Sequence, residues 1–128
     1  MATVARLTEI VAKGQWGSVE YAVLVSRKVP AKKFFDGKRL TERDRAKFVQ
    51  LFLQMAEHGE VSYKRFKREM GNLFAFRHET SKKQIRFPCF QDGNRWILTH
   101  GFIEKGGWPQ NEIDRANVIE AEYWKRKQ

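Results

Sequence analysis

Cysteine is nearly absent from this chain: one residue, Cys89, stands among 128. That excludes a disulfide framework, a cysteine-built zinc site and a Cys-x-x-Cys redox centre. Long apolar runs are also missing. The longest unbroken one is Tyr21 to Val25, against the roughly 20 residues needed to cross a bilayer. The N-terminus lacks the charged, greasy and small-residue succession of a secretory leader, so the expected location is the cytoplasm, with no membrane partner. Histidine is sparse. His58, His78 and His100 stand 20 and 22 residues apart with no His-Glu-x-x-His pairing, so no metal is expected. No Gly-rich phosphate loop occurs, Gly106-Gly107 lacking the required spacing to a lysine, and no cofactor is expected.

Acidic residues are outnumbered, 15 against 25 Lys and Arg, for a net charge of +10. Such a balance favours an anionic partner. Nine basic and three acidic residues lie between Arg27 and Lys47, eight and three between Glu60 and Arg86, five and five from Glu104 to Gln128. The excess is confined to two sections, so one side of the fold should be basic. What remains is ample material for a core: 41% hydrophobic residues, with ten Phe and four Trp, too apolar for a disordered chain. The length suits one domain spanning 1–128.

Periodicity supplies the elements. Val4, Leu7, Ile10 and Val11 recur at helical spacing and predict a short helix before Gly14 and Gly17. Val19 to Arg27 reads as a buried strand. Pro30 opens a short helix through Phe35, and Thr41-Glu42-Arg43-Asp44 resembles a capping box ahead of Phe48, Leu51, Phe52 and Met55. Gly59 stops that helix, and Ser62 to Met70 predicts two more helical turns. Three strand-like runs follow, 73–79, 84–91 and 95–103, with Asp92-Gly93 as a hairpin turn. Pro88 implies a free edge or bulge in the second run. A final helix over 110–126 turns Ile113, Ala116, Ile119, Tyr123 and Trp124 inward. The expected class is α+β: an antiparallel sheet of about four strands, two helices of the first half on one face, and a C-terminal helix.

A turn within Thr80–Lys83 sets Phe76 opposite Phe87, Phe74 opposite Cys89 and His78 opposite Ile85, one coherent apolar face on which Cys89 is a small hydrophobe. Arg77 then lies across from Arg86 on the other face, and directly opposed like charges destabilise a sheet. Either an anion completes the pair, for which a guanidinium fork suits phosphate, or the side chains splay into solvent or find acidic partners such as Glu79 or Glu104. A turn at Asp92-Gly93 pairs Phe87 with Leu98, Cys89 with Trp96 and Ile85 with His100, leaving His100 on the core side. A bulge at Asn94 would shift it to join the arginines, where it could transfer protons.

Leu73-Phe74-Ala75-Phe76-Arg77, Ile85-Arg86-Phe87-Pro88-Cys89-Phe90, Thr99-His100-Gly101-Phe102-Ile103-Glu104-Lys105 and the Pro109-led helix with Glu112-Ile113-Asp114-Arg115-Ala116 together resemble the RelE/HigB toxin superfamily, most closely its phage-derived HigB-like branch. Residues 1–18 then form an N-terminal extension. The resemblance implies a RelE-like fold and the toxin of a type II toxin–antitoxin pair. Such a toxin cuts mRNA, commonly within the ribosome and without a metal, and is held by an antitoxin, typically of helix-turn-helix type. It assigns Arg77 and Arg86 to phosphate charge and Lys105 to positioning or leaving-group assistance, with His100 as a further candidate. Lys64, Lys67, Lys82 and Lys83 would contact the RNA backbone. The competing reading is a non-catalytic RNA- or ribosome-binding module, or a phage accessory protein, on the same fold.

Overall fold

A computed structural model describes residues 6–128. Its longest internal helix forms where the capping signal stands. The Thr41 hydroxyl accepts the Asp44 amide at 3.1 Å, and the Asp44 carboxylate accepts the Thr41 amide at 2.9 Å. Two of the four orphan donors are thereby satisfied. The helix, α2 (Glu42–His58), ends at Gly59 in the left-handed region (φ 75°). Its stripe Phe48, Leu51, Phe52 and Met55 is buried against the sheet. Phe87 stands at the centre of that layer, edge-on to Phe48 at 4.8 Å, Phe34 at 5.5 Å and Phe52 at 5.9 Å. The short helix α1 (Pro30–Asp36) completes the layer.

Seven strands are present among the described residues: β1 (Thr8–Lys13), β2 (Ser18–Ala22), β3 (Phe66–Met70), β4 (Leu73–Glu79), β5 (Gln84–Asp92), β6 (Arg95–Leu98) and β7 (Phe102–Glu104). They form one sheet in the order β1-β2-β6-β5-β4-β3, with β7 also paired to β5. The helix α3 (Gln110–Lys127) lies on the face opposite α2. Alternation along the strands requires this: Phe87, Cys89 and Leu98 point toward α2, whereas Phe90 and Ile97 pack with Ile119 and Tyr123 of α3. Among the described residues, no helix is long and apolar enough to cross a membrane.

The α+β class holds, but the sheet is larger than four strands and is mixed, because β2 runs parallel to β6, with Val19 beside Trp96. The helix expected before Gly14 is instead the edge strand β1; Val4 lies outside the described residues. A bulge between Ile10 and Ala12 breaks the alternation and leaves the apolar residues at a spacing that imitates a helix. Ser62 to Met70 likewise contains a strand, β3. The run 95–103 divides into β6 and β7, because Thr99 and His100 turn their side chains to local partners and Gly101 lies against the Phe34 ring, where a Cβ would stand 2.2 Å from Cδ2.

The first hairpin has the expected register throughout: Phe76 opposite Phe87, Phe74 opposite Cys89, His78 opposite Ile85 and Arg77 opposite Arg86. The second is offset by two residues. Asp92 pairs with Arg95, so the loop is Gly93-Asn94 and Cys89, not Phe87, faces Leu98. Gly93 takes φ 62°, as the first central position of a type II′ turn requires. A shift of two keeps every side chain on its face. Pro88 falls in the interval between β7, which pairs with 84–86, and β6, which pairs with 89–92.

Candidate functional site

The register of β3 against β4 builds a cationic recess. Phe66 faces Phe76 and stacks into the core, 4.8 Å from both the Phe76 and Trp96 rings. Its neighbour Lys67 therefore emerges on the α3 face beside Ala75. One step along, the Arg77 amide donates to the Arg65 carbonyl at 2.7 Å, which aligns Arg65 with Arg77. Tyr63, Lys64, Arg65, Lys67, Arg77 and Glu79 then enclose an open concavity of about 370 Å³. Four cations and one carboxylate line it, and Tyr63 is 74% exposed at its rim.

Arg77 and Arg86 are adjacent as the register requires, but they share a carboxylate. Glu79 Oε1 accepts from Arg86 Nη2 at 2.9 Å and lies 3.4 Å from Arg77 Nη2. Arg86 also donates through Nε to Glu104 at 2.8 Å and through Nη1 to the Ile85 carbonyl at 3.2 Å. Its side chain is 1% exposed. The Arg86 hydrogen bond holds the Glu79 carboxyl below its ordinary value. Acidic partners rather than an anion thus resolve the like-charge pair. This corrects the expectation of two guanidinium groups on an uncovered face: β7 brings Glu104 alongside Gln84, and the carboxylates enclose Arg86. Arg77 is held more loosely, with Nε 3.8 Å from Glu69, beyond hydrogen-bond reach, and its side chain is 19% exposed.

His100 joins neither arginine. It is fully buried, and its ring lies 5.7 Å from Phe102 in a stacked arrangement. Burial, with the Arg115 guanidinium, pushes its pKa down to about 3, so the ring is neutral at pH 7. The hydrogen-bond network assigns the tautomer. A carboxylate only accepts, so the proton of the neutral ring sits on Nε2 facing Glu112, and Nδ1 accepts at 3.0 Å from the Thr99 hydroxyl, which also reaches the Pro88 carbonyl at 3.2 Å. Nε2–H then donates to Glu112 at 3.1 Å. A ring so enclosed cannot exchange protons with a bound phosphate, and the proton-transfer role considered for it has no geometry here.

The folded-state pKa of His100 is depressed relative to its unfolded value near 6.5. Its stabilisation is therefore complete above about pH 6.5 and lost as pH falls toward 3. By this linkage we expect the wild type to lose about 2 kcal/mol between pH 7 and pH 5, and His100→Gln to lose less over the same interval. Urea melts at the two pH values check this; equal losses would refute the assignment.

The remaining candidates form a second recess. Lys82, Lys83 and Lys105 line a concavity of about 240 Å³ with Thr80, Gln84 and Glu104. Lys82 and Lys105 are exposed. Lys83 is anchored, donating to Asp44 at 2.6 Å and to the Arg39 carbonyl at 2.8 Å. Burial raises the Asp44 carboxyl, but the bonds from Lys83 and Thr41 outweigh it and hold the group below its usual range. Lys64 and Lys67 stand with Arg77 in the first recess and Lys105 with Lys82 and Lys83 in the second; Glu79 is bonded between them through Arg86. The sequence reading missed Tyr63 and Arg65. No local signal marks them: Arg65 and Lys67 fall on the face of Arg77 only once β3 is paired with β4.

Residues 36–119 match the family model of the phage-derived protein Gp49-like (DUF891) family. The chain belongs to the Gp49-like family. The match runs from the end of α1 to the second half of α3, so both recesses of this Gp49-like chain lie inside it. The family falls within the RelE/HigB-like toxin superfamily, which makes this a toxin-like, phage-derived protein and implies an antitoxin partner in general terms. A search of curated proteins finds no match.

Proposed function

We propose that this Gp49-like chain is the toxin of a type II toxin–antitoxin pair. Read this way, residues 1–128 are one toxin domain of the HigB-like branch, a cytoplasmic mRNA endoribonuclease that acts on the ribosome and is held by a helix-turn-helix antitoxin. The observation that carries the reading is the open recess of Lys64, Arg65, Lys67 and Arg77 on the face away from α2. RNA cleavage by attack of the 2′-hydroxyl on the adjacent phosphate needs the chain oriented and the crowded phosphate charge stabilised. Arg77 is the guanidinium free enough to turn to that phosphate. Lys64, Arg65 and Lys67 hold the backbone without reading sequence, and Tyr63 offers a face for a base. Arg86 acts at one remove, as a positioning residue that fixes Glu79. Lys82, Lys83 and Lys105 continue the contact along the strand. His100 supports Glu112 and takes no part in cleavage.

One observation favours the non-catalytic alternative: both guanidinium groups carry carboxylate partners within the chain. The test is expression of the full chain alone in a bacterium, with growth scored and mRNA 5′ ends mapped. Growth arrest with new mRNA ends is expected. Arrest without new ends would replace the nuclease by a translation-blocking binder, and growth at the uninduced rate would remove the toxin reading. A short helix-turn-helix reading frame beside this one is expected as well.

A further inference from the structure

Three cations in this chain have no carboxylate within ion-pair distance among the described residues and yet converge on one hollow. Lys33, Arg39 and Arg115 line a concavity of about 360 Å³ between α1, the loop after it and α3, together with Phe34, Gly101 and Glu112. Arg77, Arg86 and Lys83 are paired, whereas Lys64, Arg65 and Lys67 of the Arg77 recess share this lack of ion pairs among the described residues. Uncompensated like charges around a concave surface repel one another and are relieved by an anion. The hollow also has an aromatic wall. Phe34 is half-buried and its ring approaches the Gly101 backbone, which has no Cβ to hold it off.

Its one acidic member is unusual in being built. Glu112 accepts the N–H of the fully buried His100, which the Thr99 hydroxyl fixes from behind. The other carboxylate oxygen carries no hydrogen bond among the described residues. A buried, neutral imidazole thus holds a carboxylate in a set orientation facing a basic hollow. An acidic peptide would meet repulsion from Glu112, and the free edge of β7 beside Phe102 is only three residues long. A planar base suits all three features: its face on Phe34, an exocyclic amine donating to Glu112, and the attached phosphate among Lys33, Arg39 and Arg115. The volume is in the range of small-ligand sites.

We infer that this hollow is a nucleoside-phosphate site, separate from the Arg77 recess. It accepts either a free nucleotide or one nucleotide of an RNA strand. The bond from Lys83 to the Arg39 carbonyl joins it to the Lys82–Lys105 recess, so a strand held there would continue into it. The inference rests on the RNA-directed reading only for the choice of ligand, and nucleotide binding is measured without cleavage.

The experiment titrates the full chain with AMP, CMP, GMP and UMP, and with penta-adenylate RNA, by calorimetry and amide chemical shifts. AMP, CMP and GMP are expected to saturate, with UMP, which lacks an exocyclic amine, about tenfold weaker. Arg39→Ala with Arg115→Ala should weaken AMP about tenfold or more, and Lys33→Ala should do so to a lesser degree if the double variant folds poorly. Arg77→Ala should leave AMP binding unchanged even where it ends cleavage. Tighter binding of penta-adenylate with a steeper salt dependence identifies an RNA strand as the source; equal binding identifies the free nucleotide. The inference is overturned if no nucleotide saturates, if the double variant binds AMP like wild type, or if poly-glutamate displaces AMP at equal concentration.

Discussion

Arg86→Ala is expected to cost about 3 kcal/mol or more of folding stability, in the range for removing one partner of a buried ion pair. The side chain is 1% exposed and makes three hydrogen bonds, two of them to carboxylates: to Glu79, Glu104 and the Ile85 carbonyl. Deleting it leaves Glu104, 15% exposed, as a carboxylate without its cation and opens a void between β4, β5 and β7. The measurement is urea unfolding at pH 7, where a midpoint lower by roughly 1 M or more is expected for a chain of this size. Adding Glu104→Gln to the alanine variant should recover part of the loss, since it removes the stranded charge. A midpoint matching wild type would sink the structural role. The result also decides how toxicity data are read. A silent Arg86→Ala strain would report an unfolded toxin rather than a missing phosphate contact.

How much of this was legible can be seen strand by strand. The first hairpin was readable to the residue, because Phe74, Phe76, Phe87 and Cys89 alternate without interruption and a short loop leaves no second register that buries them. The capping box of α2 was readable because both partners are local in sequence. β3 was not, since none of its residues is fully buried and only Phe66 packs against the core; an edge strand with one inward residue has no period to detect. Nor was the parallel pairing of β2 with β6, a contact between segments about 80 residues apart that no local signal records. The second hairpin was misplaced by two because Asp92-Gly93 and Gly93-Asn94 are both acceptable turn dipeptides, and alternation cannot distinguish registers of equal parity.

The same division runs through the site. That Arg77 and Arg86 would be neighbours followed from the hairpin. Their unequal fates did not, because Glu104 arrives on β7, a strand created by the break at Thr99–Gly101. Register within one hairpin was legible, and so was the core-side position of His100; the enclosure of Arg86 by Glu104 and the hold of His100 on Glu112 come from elements that no local pattern brings together. Side-chain burial depends on the whole fold, and local patterns stop short of it.

On the proposed reading, Arg77, which lines the open recess, is the residue whose removal should have the largest effect on function. Arg77→Ala is expected to lower RNA cleavage on translating ribosomes by about 10² to 10³-fold, the usual loss when one donor to a developing phosphate or oxyanion charge is deleted. Folding stability should change by no more than about 1 kcal/mol, because its ion pairs to Glu79 and Glu69 are long, at 3.4 and 3.8 Å, and Nε has no hydrogen-bond partner to strand. Arg77→Lys keeps the charge but loses the fork that spans two phosphate oxygens, and should fall between alanine and wild type. RNA binding by the alanine variant should also lose about one unit of salt slope. Growth after induction, primer extension on a reporter mRNA and a urea melt together check the three expectations. If Arg77→Ala is as stable as wild type and arrests growth with the same mRNA ends, the recess at β3 and β4 is not where RNA is cut.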